Sequence, residues 1–265
     1  MPSQQIRNFI AYLSLKGFSQ STASNYVAGI VYEHKIEGHP NPADNFVIRK
    51  MLEGYKRLKY KKDIREPITT PMLQAIVCNL PGVCKSQYEV ALFSAAILLG
   101  FFGLLRISEY TAPSKHDSQR TLQFQDIHIG KDLTIAVHIS RSKTDQRGQG
   151  KGILIEPCSN QTLCPSKALD YYISNYRSRA PGPLFLHADG TPLTSFQFAA
   201  ILKKAVAAAG FSTTGKTTHS LRIGACSMAS ARGITDAQIK QMGRWTSRAY
   251  KSYIRIPSNR LASLH

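Results

Sequence analysis

Val90-Ala-Leu-Phe-Ser-Ala-Ala-Ile-Leu-Leu-Gly-Phe-Phe-Gly-Leu-Leu105 runs without a charged residue and ends against Arg106-Ile-Ser-Glu109. At about 16 residues it is shorter than the roughly 20 that cross a bilayer. Ser94, Gly100 and Gly103 also interrupt it. A helix that is apolar on every side but too short for a membrane belongs in the middle of a globular core. The spacing predicts a helix over 86–110 with the rest of a domain packed around it. An arginine fixed to the end of such a helix has little freedom and presents a fork of donors to an anion. Alone, Arg106 reads more readily as an ordinary helix-end arginine, solvated or paired with Glu109.

Outward from this helix the pattern changes period. Leu133, Ile135, Val137 and Ile139 alternate with Thr134, Ala136 and His138, as strand residues do. Strands are expected over 122–129, 133–140 and 152–156, the first two separated by Gly130-Lys-Asp. Between the second and third lies Arg141-Ser-Lys-Thr-Asp-Gln-Arg-Gly-Gln-Gly-Lys151, a basic connection. Helices are expected over 71–79, 168–176 and 195–209, the last closed by Gly210, and from Thr218 onward. Upstream, Ile6, Phe9, Ile10 and Leu13 share a helix face. Ser21 or Thr22 can cap a second helix, and 46–59 reads as a third. The fold class is therefore mainly α with a small antiparallel β-sheet (α+β). Lys56, Arg57, Lys59, Lys61, Lys62 and Arg65 crowd one short segment, which Pro67 and Pro71 follow. That segment predicts a division into an N-terminal helical domain (1–60), a basic linker (61–70) and a larger domain (71–265).

Lys and Arg total 34 against 16 acidic residues, giving +18 and a pI near 9.9. Such an excess favours a polyanion as partner, most often nucleic acid. Lys and Arg exceed Asp and Glu on both sides of the linker. The five cysteines form no Cys-x-x-Cys pair, and Cys158 and Cys164 are loosely spaced for a metal site. Free thiols in a reducing compartment are the simplest reading. The opening Met1-Pro-Ser-Gln-Gln has no character of a signal or transit peptide. No phosphate loop of the Gly-x-x-x-x-Gly-Lys-Ser/Thr type and no acidic cluster suited to magnesium occurs, so no metal and no cofactor is expected.

Three further patterns join Arg106. Ser142-Lys143-Thr144-Asp145 lies in the basic hairpin, where a lysine flanked by arginines can serve as a general acid. His219 and Arg222, in Thr218-His-Ser-Leu-Arg222, share a helix face, and Thr218 is a candidate N-cap. The only tryptophan stands in Gly243-Arg-Trp245-Thr-Ser-Arg-Ala-Tyr250-Lys-Ser-Tyr253-Ile-Arg255. Each pattern has an ordinary structural reading: a charged hairpin, a core histidine, core aromatics.

Their order is more informative than any one of them. Arginine, hairpin lysine, His-x-x-Arg, Trp and a C-terminal Tyr resemble the active-site signature of the tyrosine recombinases, the family of phage integrases and chromosome-dimer resolvases. The resemblance spans essentially the whole chain. Gly-Leu-Leu-Arg-Ile-Ser-Glu, His-Ser-Leu-Arg, Met-Gly-Arg-Trp and Tyr-Ile-Arg carry it. Ser-Lys-Thr-Asp and the cysteine content also resemble members from eukaryotic mobile elements. The resemblance implies an N-terminal core-binding domain, a catalytic domain and a metal-independent cut-and-rejoin reaction through a 3′-phosphotyrosyl intermediate. It implies Tyr253 as nucleophile, Arg106 and Arg222 on the non-bridging oxygens, and Lys143 protonating the leaving 5′-oxygen. It further implies His219 assisting proton transfer and Trp245 packing beneath the site. Tyr253 follows Trp245 a little more closely than is usual, which leaves Tyr250 as a rival nucleophile. Glu109 is expected to orient an arginine. Lys56, Arg57, Lys59, Lys61, Lys62, Arg141 and Arg147 are expected on DNA.

The implied partner is double-stranded DNA, with no membrane, and the implied assembly is a homotetramer on DNA from a chain monomeric in solution. The expected compartment is intracellular: the nucleus for a eukaryotic source, the cytoplasm or nucleoid for a bacterial one. Two neighbouring readings use the same residues. One is a type IB topoisomerase; the other is a DNA-binding protein that has lost catalysis. A basic RNA-binding protein explains the charge but not the ordered motifs.

Overall fold

A computed structural model describes residues 3–58, 63–140 and 150–255. Two compact units divide the chain, Met1–Asp63 and the remainder from Ile64.

The first unit is three helices, α1 (Ser3–Leu15), α2 (Gln20–Ile36) and α3 (Phe46–Leu58). Ile6, Ile10 and Leu13 of α1 close on Ala23 and Val27 of α2 and on Ile48 and Tyr55 of α3. The Tyr55 hydroxyl donates to the Phe18 carbonyl at 2.6 Å, tying α3 to the α1–α2 turn. Ser19, not Ser21 or Thr22, caps α2, accepting from the Thr22 backbone N–H. Ser19 has the extended backbone an N-cap needs, whereas Ser21 and Thr22 are already helical.

The second unit is built around α5 (Gln87–Phe102), whose residues from Ala91 to Phe101 are almost all buried. Ser86 caps it, and α7 (Pro165–Asn175) and α9 (His219–Ala231) pack on it. Before it runs α4 (Thr70–Asn79), which packs on α8 (Ser195–Ala208). Residues 64–69, read as linker, are part of this unit. The Glu66 and Ile68 amides donate to the carbonyls of Gly215 and Ser220, and Ile68 is fully buried. Gly224 permits that approach, because a Cβ there would lie 1.9 Å from the Ile68 carbonyl oxygen. The first segment therefore clips onto the start of α9, which periodicity at 64–69 does not reveal.

The expected 86–110 helix is two. α5 stops at Gly103, Leu104 turns into the left-handed region at φ 45°, and a four-residue helix α6 (Ile107–Tyr110) restarts behind Arg106. The strands are shorter than the alternation implied. They are β1 (Ile127–Ile129), β2 (Ile135–Ile139) and β3 (Lys151–Ile155), antiparallel in the order β1-β2-β3. Residues 124–126 form a 3₁₀ turn instead of strand, with the Asp126 carboxylate accepting from the Gln123 amide. Ile135, Val137 and Ile139 enter the core, with Val137 opposite Ile127 and Ile153. The β2–β3 connection, 141–149, lies outside the described residues. The chain continues through α10 (Asp236–Met242) into a 3₁₀ segment, Arg248–Tyr253.

Candidate active site

Five of the six residues singled out from the sequence fall within the described residues, and they occupy one end of the α5 core. Arg106 stands in the non-helical position just before α6. Its amide donates to Glu109 Oε2 at 2.8 Å, and its Nη1 donates to Oε1 at 3.0 Å. The three-residue spacing is therefore a helix-start pairing, not a pair along a continuous helix. Its effect is to hold Arg106 by one edge, since Glu109 is itself buried.

Arg222 projects from the first turn of α9 and is only 1% exposed. Its Nη1 donates to the Leu104 carbonyl and its Nη2 to the Gly243 carbonyl at 2.5 Å. Its guanidinium carbon lies over the Trp245 ring, 4.2 Å from its centre, a cation–π contact. Thr218 precedes α9 with helical backbone and makes no side-chain cap. The Ser220 hydroxyl accepts from the Thr217 amide instead. Gly243 is what lets Trp245 lie here, because a Cβ would sit 1.6 Å from the indole.

Tyr253 closes the group. Its ring centre is 4.8 Å from His219, 5.1 Å from Trp245 and 5.6 Å from the Arg222 guanidinium. The two tyrosines have different surroundings. The Tyr250 hydroxyl donates to Asp236 Oδ2 at 2.8 Å, and that hydrogen bond pushes its pKa up. The Tyr253 hydroxyl makes no hydrogen bond among the described residues; its backbone carbonyl accepts from the Ser227 hydroxyl at 3.3 Å.

Arg244 was not singled out from the sequence, yet it is 3% exposed and sits within this cluster. Its Nη2 donates to Glu109 Oε2 at 2.7 Å and to the Leu104 carbonyl at 3.3 Å, and its Nη1 to the Gly103 carbonyl at 3.3 Å. The residue before a lone Trp carries no periodicity. The only sequence sign was an arginine lodged in an otherwise packed Gly-Arg-Trp.

The electrostatics follow. Three guanidiniums surround one carboxylate, a local excess of positive charge in a poorly solvated place. Burial first, then the charges of Arg106 and Arg244, push the Arg222 pKa down to about 10. Burial likewise lowers that of Arg244. With a pKa of about 10, Arg222 remains charged near neutral pH, and a cluster of guanidiniums suits an anion with several oxygens.

The remaining expected residues are distributed differently. Lys56 and Arg57 lie exposed in the last turn of α3, in the first unit. Lys59, Lys61, Lys62, Arg141, Lys143 and Arg147 lie outside the described residues. Among the described residues no group of three or more His, Cys, Asp or Glu could hold a metal ion. No described helix is long and apolar enough to cross a membrane. All five cysteines are free.

No protein-family model matches the chain. An integrase/recombinase of Selenomonas ruminantium, a XerD homologue, is 25% identical over 237 residues, 86% of this chain and 65% of that protein. The chain thus spans just under two thirds of that relative's length. Among solved structures, the XerH site-specific recombinase bound to its palindromic difH substrate superposes with a TM-score of 0.63 at 12% identity, covering 100% of this chain and 69% of the other. The Tn1549 transposon integrase in complex with circular-intermediate DNA gives 0.62 at 14% identity, covering 100% and 85%. A lambda integrase dimer on a core site gives 0.59 at 17% identity, covering 96% and 80%. The chain has the fold of the tyrosine recombinases, and its resemblance to them extends to a curated sequence relative.

Proposed function

We propose that this chain cuts and rejoins DNA strands through a phosphotyrosyl intermediate, as a site-specific recombinase or integrase. One observation carries the reading: the ring of Tyr253, whose hydroxyl makes no hydrogen bond among the described residues, packs against His219, Trp245 and Arg222, and Arg222 belongs to the cluster in which Arg106 and Arg244 share Glu109. A phenol next to an anion-binding cluster is what displacement at a phosphodiester requires.

In this mechanism the Tyr253 oxygen attacks phosphorus as the bond to the 5′-oxygen breaks. The phenolic proton leaves toward His219, whose imidazole can take up a proton and return it. Charge building on the non-bridging oxygens is met by Arg106 and Arg222. Lys143 supplies a proton to the departing 5′-oxygen. The aryl phosphate ester keeps the energy of the broken bond, so a DNA 5′-hydroxyl can attack it and rejoin the strand without ATP. Trp245 fixes the plane of Arg222 and the position of the Tyr253 ring.

Basic residues at the end of α3 and in the neighbouring linker suit the DNA backbone, as do Arg141 and Arg147. Strand exchange between two duplexes calls for a homotetramer on DNA, formed from protomers that are separate in solution. The relation to a transposon integrase favours a mobile-element setting, and the free cysteines favour a reducing compartment.

The test is a suicide substrate, a nicked or 5′-bridging phosphorothiolate duplex taken from the ends of the element that encodes the chain. Wild-type protein is expected to give a denaturation-resistant protein–DNA band that Tyr253→Phe abolishes and Tyr250→Phe retains. Loss with Tyr250→Phe alone moves the nucleophile. Tight binding without any covalent band makes the chain a catalytically silent DNA-binding protein.

A further inference from the structure

We propose that Arg244 is a positioning residue that leaves Arg106 available to the phosphate by engaging Glu109 from the opposite side. This deepens the strand-cleavage reading and rests on it for its kinetic consequences.

Glu109 is the only carboxylate hydrogen-bonded within the arginine cluster among the described residues. It divides its two oxygens between two guanidiniums. Oε1 accepts from Arg106 at 3.0 Å, and Oε2 accepts from Arg244 at 2.7 Å and from the Arg106 amide at 2.8 Å. The shorter side-chain contact, and the more deeply buried cation, is Arg244: its side chain is 2% exposed against 16% for Arg106. Glu109 is thus neutralised chiefly by the more deeply buried cation, and only Nη1 of the partly exposed Arg106 guanidinium is spent on Oε1. Without Arg244 the carboxylate has one guanidinium left as partner. It would turn both oxygens to Arg106 in the bidentate geometry that arginine and carboxylate favour. Arg106 would then spend its fork, and much of its charge, on Glu109.

Arg244 also acts on the backbone that carries Arg106. The Gly103 and Leu104 carbonyls accept from it at 3.3 Å, and Leu104 is the left-handed residue that ends α5. Arg222 donates to the same Leu104 carbonyl. The turn before Arg106 is therefore clamped by two arginines from the last part of the chain. Arg244 holds its own place at φ 57°, a conformation that non-glycine residues adopt at a cost and that this packing maintains.

The experiment measures single-turnover cleavage of the suicide duplex, duplex affinity and melting temperature for Arg244→Met, Glu109→Gln and the double variant. Arg244→Met is expected to lower the cleavage rate at saturating DNA roughly 10²-fold, the scale of a misplaced reacting group. Affinity should change little. The double variant should lose no more than the worse single, because both act through one contact. Arg244→Lys keeps the charge but cannot span Glu109 and two carbonyls together, so an intermediate rate is expected. It carries the test if the methionine variant does not fold. Wild-type cleavage by a folded Arg244 variant, or losses that multiply in the double, overturn the proposal. If wild-type protein forms no adduct, the strand-cleavage reading fails, and a crystal structure of the Arg244 variant decides this one separately. Glu109 is expected to swing its freed oxygen onto the Arg106 side chain; an unmoved Arg106–Glu109 pair overturns it.

Discussion

A single missing methyl group shapes much of this site. Gly243 has φ −84° and ψ 0°, which alanine adopts without strain. The obstacle to a larger residue is steric: the Trp245 ring occupies the space a Cβ would take. Gly243→Ala is expected to displace the indole from Arg222 and Tyr253, cutting cleavage roughly 10²-fold through misplacement alone. The melting temperature should fall as well, because a packed ring is forced to move. Suicide-substrate kinetics and thermal unfolding check this; an alanine variant with wild-type rate and stability would mean that Trp245 does not hold the site. At this scale Arg106, His219, Arg222, Trp245 and Tyr253 were legible because each is a chemically distinctive side chain in a recurrent order. Arg244 was not, because its shorter contacts are with the Gly103 and Leu104 carbonyls and the Glu109 carboxylate, more than a hundred residues away in the chain.

Among the elements, α9 links core and site. Its N-terminal turn presents His219 and Arg222, and its buried face carries Leu221, Ala225 and Cys226. Burial raises the Cys226 thiol to about 12, with Arg222 opposing the shift only partly. A folded-state pKa above the unfolded value of about 8.5 favours folding fully below pH 8.5. That contribution falls as pH rises toward 12, since the unfolded chain can release the proton and the folded one cannot. Stability measured by urea is expected to drop from about pH 9 upward, by at most about 1.4 kcal/mol per pH unit from this group. Cys226→Ala should flatten the slope in the window from about pH 9 to 10, before tyrosines ionise. An unchanged slope in the alanine variant would show that Cys226 does not contribute. The break between α5 and α6 also belongs to this scale. Hydrophobic periodicity ran unbroken to Tyr110, because a turn at Leu104 keeps its apolar side chain inside and so leaves no polar mark.

For the whole molecule, the division after Asp63 and the basic composition lead to one expectation. Binding of a DNA duplex should weaken steeply with salt, by roughly 10³–10⁵ between about 50 and 200 mM if about 6–10 phosphates are contacted. A chain beginning at Ile64 retains the whole second core and should unfold cooperatively by itself. It lacks Lys56, Arg57, Lys59, Lys61 and Lys62, so its salt slope should be shallower. Calorimetry and salt-dependent binding of the two lengths measure both points. An equal slope would place the DNA contacts entirely in the second unit.

Sequence by itself was enough for the α+β class, for the buried central helix and for the residue types of the site. These depend on local regularities: an uncharged run, a period-two alternation, polar groups in a recurrent order. Tertiary structure alone decided that residues 64–69 belong to the second unit, that Tyr250 is tied to Asp236 while Tyr253 is not, and that Glu109 serves two arginines. Each of these rests on a contact between different elements of the fold. Such contacts depend on which surfaces the folded core brings within hydrogen-bonding reach, and no local pattern of residues records that distance.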